Sequence, residues 1–267
     1  MKACFIGGGN MGEALIKSLV KKKICTAADL TVSDISRTRL DYLKNTYGIK
    51  TETSNLKAVK SADVIILAVK PADIGKVAHE IKGRLTAKQL VISIAAGITM
   101  DTLYEELGHS RIVRSMPNMP AQIGMGMTVW MHREEVSETQ VKLARTVLSS
   151  MGEEMLVNNE KYIDMATAVS GSGPAYIFLI VETLTDAGVH IGLTRAMAEK
   201  LAVETTIGSA MTIKQMKKHP AELRNLVTSP GGTTAEGLLQ LETGGLRSML
   251  LKAVIAGYEK SKKLGSK

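Results

Sequence analysis

The segment Ala3-Cys4-Phe5-Ile6-Gly7-Gly8-Gly9-Asn10-Met11-Gly12 is the strongest indication of the fold in this chain. Gly7, Gly9 and Gly12 fit the pattern G-x-G-x-x-G, between an apolar β-rich run and a helical pattern. In such a turn the first glycine bends the chain, the second lets a pyrophosphate approach the backbone, and the third lets helix and strand pack closely. The free N–H groups of the helix N-terminus favour the anion. We therefore predict a dinucleotide-binding turn, with a purely structural glycine turn as the weaker alternative.

Short apolar runs alternate with helical patterns through the first half of the chain. Continuous apolar strands that alternate with helices indicate a parallel sheet covered on both faces, with ligands at the carboxyl ends of the strands. We predict an α/β fold in which residues 1–158 form an N-terminal Rossmann-like NAD(P)-binding domain. The predicted strands are Ala3–Gly7, Leu30–Asp34, Val64–Val69, Leu90–Ala95, Arg111–Ser115, Gly126–Met131 and Glu154–Val157, and the helices are Glu13–Lys23, Arg37–Tyr47, Asp73–Ile81, Asp101–Leu107 and Glu138–Met151.

The second half of the chain changes character, because no convincing strand follows Glu160. The stretch Ile177–Val181 and its surroundings are apolar on nearly all helical faces, and such a helix must be buried. We predict that residues 159–267 form an all-helical domain for dimerisation and substrate binding, and that the chain is a homodimer. The alternative is that this helix is buried against its own Rossmann-like domain. The predicted helices are Ala175–Ala187, Arg195–Lys217, Thr234–Glu242 and Gly245–Lys262.

Composition narrows the classes of function. The net charge of +8 suits an anionic small molecule, and only 3% of residues are aromatic, which disfavours binding of nucleic acid by base stacking. The five histidines show no ligand spacing, Cys4 and Cys25 suggest no metal cluster or disulfide framework, and we expect no metal. No run of ~18 apolar residues predicts a membrane span, and no signal peptide is recognised. We expect a cytoplasmic protein.

The end of the second predicted strand gives conflicting signals about the cofactor. Asp34 lies about 20 residues beyond the glycines, where an acid would bind the adenosine ribose of NAD. A 2′-phosphate instead needs hydroxyls and an arginine, which Ser33, Ser36, Arg37 and Arg39 offer. We expect NADPH, with NADH as the alternative.

Other residues after predicted strands face the same crevice by the topology rule. Lys70 is either a charge near the nicotinamide or a solvated turn residue, and the small residues at 93–97 either admit a nicotinamide ring or pack strand on helix. Asn118 lies in a proline-stiffened loop that suits a substrate wall. The predicted cofactor set is Gly7, Gly9, Asn10, Met11, Gly12, Ser33, Asp34, Arg37, Asn55, Ala68, Val69, Lys70, Pro71, Ala95 and Gly97.

The run Ser229-Pro230-Gly231-Gly232-Thr233-Thr234 opens a predicted helix. Thr233 and Glu236 have the spacing of a capping box, which is the ordinary interpretation. The functional interpretation is a carboxylate-binding nest at a helix N-terminus, with Thr234 offering a hydroxyl. Pro-Gly-Gly holds more glycine than a cap needs, so we favour the functional interpretation.

The chain resembles the pyrroline-5-carboxylate reductase family of proline biosynthesis. The resemblance is carried by the glycine turn, by Ala68–Pro71, by Met116–Pro120 and by two highly specific strings. These are Ser170-Gly171-Ser172-Gly173-Pro174-Ala175-Tyr176 and Ser229–Thr234, with Asp186–Gly192 between them.

The resemblance implies a Rossmann domain followed by an all-helical dimerisation domain, and a homo-oligomer, often a pentamer of dimers. It implies that Thr234 hydrogen-bonds the imine nitrogen and is the catalytic residue. It also implies that the amides of Gly232, Thr233 and Thr234 hold the substrate carboxylate. Some relatives carry an Asn that reaches the cofactor where this chain has Leu226, beside Asn225. The predicted substrate set, which combines the loop, the Ser229–Thr234 run and the resemblance, is Asn118, Met119, Glu160, Ser229, Gly231, Gly232, Thr233 and Thr234.

Two other functions compete with imine reduction. A β-hydroxyacid dehydrogenase would need a base, for which Lys200 is the candidate inside a predicted helix. A regulatory module that senses a dinucleotide would need no carboxylate nest, so the Ser229–Thr234 run argues against it.

Overall fold

The structure, a computed structural model, describes residues 1–265 of the 267-residue chain. The chain forms two compact units. The first holds Met1–Ser172 together with the described residues from Gly257 onward, and the second holds Gly173–Ala256. The predicted border after residue 158 follows the end of the last strand, whereas the contacts group the residues up to Ser172 with the sheet. The assignment of binding and dimerisation to 1–158 and 159–267 stays a prediction.

An eight-stranded sheet forms the centre of the first unit, in the order β3-β2-β1-β4-β5-β6-β7-β8. The first six strands are parallel, β7 runs antiparallel to β6, and β8 runs parallel to β7. The order reverses between β1 and β4, and the crevice beyond their carboxyl ends is where such sheets bind ligands. The strands are β1 Ala3–Ile6, β2 Leu30–Ser33, β3 Lys50–Glu52, β4 Val64–Leu67, β5 Leu90–Ser93, β6 Ile112–Met116, β7 Gly126–His132 and β8 Gly152–Leu156.

Helices cover both faces of this sheet and bury two apolar layers. Leu15, Leu19 and Leu43 pack on one face, and Val77 and Leu103 pack on the other. Because β1, β4 and β5 are buried along their whole length, they read as the continuous apolar runs that identify them in the sequence. The helices are α1 Asn10–Lys21, α2 Arg37–Tyr47, α3 Asn55–Val59, α4 Ile74–Ile81, α5 Met100–Leu107, α6 Glu138–Leu148 and α7 Lys161–Ala166.

The second unit is helical, and the described residues from 160 onward contain no strand. The predicted fold class, a Rossmann-like domain followed by an all-helical domain, is therefore confirmed. Several large apolar side chains of this unit are exposed in the single chain, including Phe178, Leu179 and Ile191. The helices are α8 Gly173–His190, α9 Arg195–Met216, α10 Pro220–Leu226, α11 Thr233–Thr243 and α12 Leu246–Gly265, whose end belongs to the first unit.

One expectation about membranes needs correction. Within the described residues, the helical run Lys161–His190 is long and apolar enough to cross a bilayer by length and composition. Polar residues such as Ser170 and Ser172 interrupt this run, so it does not form an unbroken apolar stretch in the sequence. An apolar helix buried in a soluble protein passes the same test, so this run is weak evidence for a membrane span.

Candidate active site

The glycine turn lies where β1 meets α1. Gly7 has a φ of +98°, and a Cβ there would lie 2.7 Å from the Ala68 carbonyl oxygen. A Cβ on Gly12 would lie 2.6 Å from the Gly7 carbonyl oxygen. Around Gly9, by contrast, a Cβ would meet no heavy atom within 4 Å. Gly7 is thus required for the turn and Gly12 for the close packing of the helix against it. Gly9 is the one of the three glycines with free space beside its Cα.

A cleft of about 400 Å³ lies beside this turn. It combines carboxyl ends of β1, β2 and β4, as the strand order requires. Eight predicted cofactor residues line it, namely Gly7, Gly9, Ser33, Asp34, Asn55, Ala68, Val69 and Lys70. Its lining also includes Ile35, Thr53, Asp73, Lys76 and Glu80, which sequence reasoning missed. Asp73, Lys76 and Glu80 follow Pro71 at near-helical spacing, and that spacing is the signal that could have found them.

Asp34 holds the backbone of the turn. One carboxylate oxygen accepts a hydrogen bond of 2.7 Å from the Gly8 N–H, and the other accepts one of 2.9 Å from the Ser36 N–H. Ser33 is buried and donates its hydroxyl to Asn55 Oδ1 at 2.6 Å, while the Asn55 amide donates to Glu80 at 2.7 Å. The Ser33 hydroxyl therefore points to Asn55 and is not free to bind a 2′-phosphate.

The two arginines of this segment differ. Arg37 is the first residue of α2 and is exposed. Arg39 donates to the Gly8 carbonyl oxygen and forms an ion pair with Glu13. The expectation that Arg39 contributes to a 2′-phosphate site is therefore not supported, because its guanidinium already has two partners.

The other predicted cofactor positions have different surroundings. Asn10, Met11 and Gly12 form the first turn of α1, and Pro71 begins a 3₁₀ turn after β4. Lys70 is exposed and lines the cleft. Ala95 is buried, and a Cβ on Gly97 would lie 2.8 Å from the Leu264 Cβ. At Gly97 the structure supplies the packing explanation, so its assignment to the cofactor stays a prediction without support from its neighbours.

Asn118 and Glu160, both predicted substrate residues, are engaged in contacts within the first unit. The Asn118 side chain donates to the Ser170 carbonyl oxygen at 3.0 Å and accepts from the Met127 N–H at 2.8 Å. Glu160 accepts from Arg114 at 2.6 Å and from the Met100 N–H at 2.7 Å. Met119, the remaining predicted residue of this loop, is half-exposed.

Arg114 is a charged residue that the sequence interpretation passed over. It lies in β6, is 2% exposed, and pairs with Glu160 and with Asp164 at 2.8 Å. Ser261, near the end of α12, lies 3.3 Å from Asp164. A cation in an apolar strand must find anionic partners, and that rule applied to the sequence would have singled it out.

The start of α11 in the second unit forms the other candidate binding feature. Gly231 has a φ of +69°, and a Cβ on Gly232 would lie 2.5 Å from the Ser229 hydroxyl oxygen. Gly232 is the N-cap, and no side chain caps the helix. The ordinary interpretation, a capping box of Thr233 and Glu236, is thus excluded, because the helix begins one residue earlier than predicted and Thr233 lies inside it.

The absence of a side-chain cap leaves helix amides available. The Gly232 N–H donates to the Ser229 carbonyl oxygen at 3.1 Å. The N–H groups of Thr233 and Thr234 are the first two of the helix, where no intrahelical acceptor exists, and within the described residues neither donates to a protein acceptor. Two free N–H groups at a helix N-terminus favour a carboxylate. Leu226, at the departure from the relatives' Asn, ends α10 and is exposed.

Comparisons with known proteins cover nearly the whole chain. A family profile described as pyrroline-5-carboxylate reductase dimerisation matches residues 160–264, and one described as NADP oxidoreductase, coenzyme F420-dependent, matches residues 2–97. The pyrroline-5-carboxylate reductase of Synechocystis sp. is 40% identical over 98% of this chain and 97% of its own length.

Two solved structures are also similar along their full length. The pyrroline-5-carboxylate reductase of Coxiella burnetii superposes with a TM-score of 0.91 at 38% identity, over 98% of each chain. A Plasmodium falciparum pyrroline carboxylate reductase with NADP bound superposes with a TM-score of 0.91 at 35% identity, over 99% of this chain and 98% of that one.

Proposed function

This chain belongs to the pyrroline-5-carboxylate reductase family, and from that premise we propose how its residues perform the reaction. The enzyme is an NAD(P)H-dependent oxidoreductase. It transfers a hydride to the C=N bond of 1-pyrroline-5-carboxylate and so forms L-proline. The observation that carries this function is the sequence identity of 38–40% over nearly the full length with reductases named for that substrate. The hydroxyacid-dehydrogenase and sensor alternatives are not favoured.

We propose that the cofactor lies along the crevice at the carboxyl ends of β1, β2 and β4. NAD(P)H, when bound there, supplies the hydride. The glycine cradle fits its pyrophosphate, because Gly9 leaves the space that a side chain would fill. The helix N-terminus at Asn10 and Met11 favours the negative charge. Arg37, exposed beside Asp34, is the arginine that we expect to meet a 2′-phosphate, and on that basis we retain NADPH as the preferred cofactor.

We propose that the start of α11 binds the substrate. The free Thr233 and Thr234 amides bind the carboxylate, and the Thr234 hydroxyl hydrogen-bonds the imine nitrogen. A protonated imine is already a strong electrophile, so the protein's contribution is to orient the substrate and hold its charge. Gly232 is not included among the carboxylate donors, since its N–H already bonds to Ser229. Asn118 and Met119, in the proline-stiffened loop, and Glu160, from the resemblance, remain proposed substrate contacts.

The chain carries a dimerisation domain and is a homo-oligomer acting on a small molecule. We propose that the exposed apolar side chains of α8 and α9 are buried between two subunits, and that five dimers assemble further. An intersubunit position also explains why Lys161–His190 resembles a membrane span. No nucleic-acid or membrane partner is proposed, and we place the enzyme in the cytoplasm.

Oxidation of NADPH and NADH, followed at 340 nm with 1-pyrroline-5-carboxylate, tests this function. We expect oxidation that depends on the imine, faster with NADPH. A parallel assay with 3-hydroxy acids and NAD tests the rival dehydrogenase. Turnover of the hydroxy acids without turnover of the imine would overturn the proposal. Dinucleotide binding with no turnover of either substrate would favour the sensor.

A further inference from the structure

Gly8, the middle residue of the glycine run, is held from both ends by the segment that follows β2. Its N–H donates to Asp34 at 2.7 Å, and its carbonyl oxygen accepts from the Arg39 Nε. Two successive peptide groups of the turn are therefore fixed by side chains of one neighbouring segment. Gly8 has no side chain with which to fix itself, and a glycine backbone is conformationally permissive.

The orientation of the Gly9 N–H follows from these contacts. A peptide group is planar and trans, so the Gly9 N–H points away from the direction of the Gly8 carbonyl. Because that carbonyl points at Arg39, the Gly9 N–H points away from Arg39. Within the described residues it has no protein acceptor, and the space around Gly9 is open. The Arg39 contact therefore leaves this N–H available to an anion.

Arg39 is itself fixed by a cluster around Glu13. The guanidinium pairs with one Glu13 oxygen, and Tyr47 and Tyr42 donate to the other at 2.8 and 3.1 Å. The Arg39 and Glu13 side chains are only 25% and 19% exposed, and the guanidinium lies 5.0 Å from the centre of the Tyr42 ring. Glu13, which is itself held by Tyr42 and Tyr47, thus holds the guanidinium against Gly8.

The Arg39–Glu13 ion pair also reduces the repulsion between Glu13 and an anion bound at the start of α1. Glu13 lies in the first turn of α1, where a carboxylate stabilises the helix but opposes an anion bound at its N-terminus. Partial burial acts to raise the pKa of Glu13, but hydrogen bonds from Tyr47 and Arg39 hold it below its usual value, so the carboxylate stays ionised. The Arg39 cation offsets that charge beside the turn.

We propose that Arg39, held by Glu13, is a positioning residue for the cofactor. It directs the Gly9 N–H towards the pyrophosphate and offsets the Glu13 charge. The pyrophosphate is common to both nicotinamide cofactors, so Arg39 sets the affinity for NADH and NADPH equally. This inference rests on the proposed placement of the cofactor at the glycine turn.

Dissociation constants of NADH and NADPH, measured by fluorescence titration of the intact oligomer, test the inference. Arg39→Ala is expected to raise both constants by the same factor, about tenfold, the size of one charge-assisted hydrogen bond. The kcat at saturating cofactor is expected to change little. The matched variant Arg37→Ala, at the exposed position two residues earlier, is expected to weaken NADPH alone.

A second variant, Arg39→Lys, serves if the alanine variant does not fold. Lysine keeps the ion pair with Glu13 but lacks the Nε that bonds to Gly8. It is expected to show a smaller loss, again equal for both cofactors. A loss confined to NADPH would show instead that Arg39 contacts the 2′-phosphate, and unchanged constants would show that the turn does not need it. Wild-type protein that binds neither dinucleotide would refute the cofactor placement itself.

Discussion

Replacing two glycines of one turn by alanine should separate the fold from cofactor binding. At Gly9 the backbone is extended, with φ −64° and ψ −174°, and a Cβ meets no atom within 4 Å. Alanine raises the free energy of unfolding by about 0.4–1 kcal/mol because it restricts the unfolded chain. It lowers the same free energy by a similar amount because it is a poorer N-cap than glycine. The free energy of unfolding should therefore change by less than about 0.5 kcal/mol. The methyl group, however, occupies the space proposed for the pyrophosphate.

At Gly7 the balance is reversed. A positive φ costs an L-residue about 1–2 kcal/mol, and an overpacked methyl group costs about 1–3 kcal/mol more. The Cβ would lie 2.7 Å from the Ala68 carbonyl oxygen, which is backbone and cannot easily move. Gly7→Ala should therefore destabilise the protein by about 2–5 kcal/mol and lower Tm by about 4 °C or more.

Two measurements on each variant decide the outcome. Thermal unfolding at fixed protein concentration gives Tm, since the stability of an oligomer depends on concentration. NADPH titration gives Kd, which Gly9→Ala should raise about tenfold or more, equivalent to at least ~1.4 kcal/mol. A Gly9→Ala variant that binds NADPH as tightly as wild type would refute the placement of the pyrophosphate. A Gly7→Ala variant with wild-type Tm would refute the steric argument.

Three further predictions concern single residues. Thr234→Ala should lower kcat about 10²-fold, as loss of a positioned donor does. Thr234→Ser, which keeps the hydroxyl, should retain most of the wild-type kcat. Steady-state kinetics with an unchanged kcat for Thr234→Ala would show that Thr234 is not catalytic. Arg114→Leu should lower the urea-derived unfolding free energy by about 3 kcal/mol, because it leaves Glu160 and Asp164 unpaired, and the added change Glu160→Gln should recover part of that loss. Burial holds the pKa of His109 below its usual value, although its ring lies 2.9 Å from the Gln89 carbonyl oxygen. Its neutral form therefore stabilises the fold fully above the unfolded pKa of about 6.5, and this stability is lost as pH falls through the lower folded value. Urea titrations between pH 7 and 5 should show that the free energy of unfolding falls less steeply with decreasing pH in His109→Gln than in wild type. The control His79→Gln, at an exposed site, should behave like wild type. Equal pH slopes in His109→Gln and wild type would contradict this role of His109.

Much of the fold could be predicted, because buried parallel strands leave a plain signal. The runs at β4 and β5 are apolar except for Ser93 at the end of β5, and they indicate the alternation with helices on both sides. The strand Lys50–Glu52 could not be recognised, since it is a short, partly exposed edge strand with the polar sequence Lys-Thr-Glu. The helices α3, α7 and α10 were missed because five to seven residues are too few to show a helical period.

The candidate site divides in the same way between local and long-range features. The glycine turn is local, so its context could be read from neighbouring residues. The partners of Arg39 and Arg114 lie 26 to 50 residues away in sequence, counting Glu13, Glu160 and Asp164. No spacing rule connects such residues, and Arg39 was therefore grouped with the phosphate-binding candidates. At α11 the helix begins one residue before the predicted start, which excludes the alternative of a capping box and leaves the N-terminus without a side-chain cap.

Transfer of deuterium from the cofactor to the product tests whether this protein reduces the C=N bond. The enzyme would be incubated with 1-pyrroline-5-carboxylate and NADPH deuterated at C4 of the nicotinamide, and the product examined by mass spectrometry and NMR. Hydride transfer to the C=N bond predicts proline carrying one deuterium on the ring carbon that was the imine carbon. Proline without deuterium under conditions that exclude transfer of the other C4 hydrogen, or no proline at all, would contradict the account.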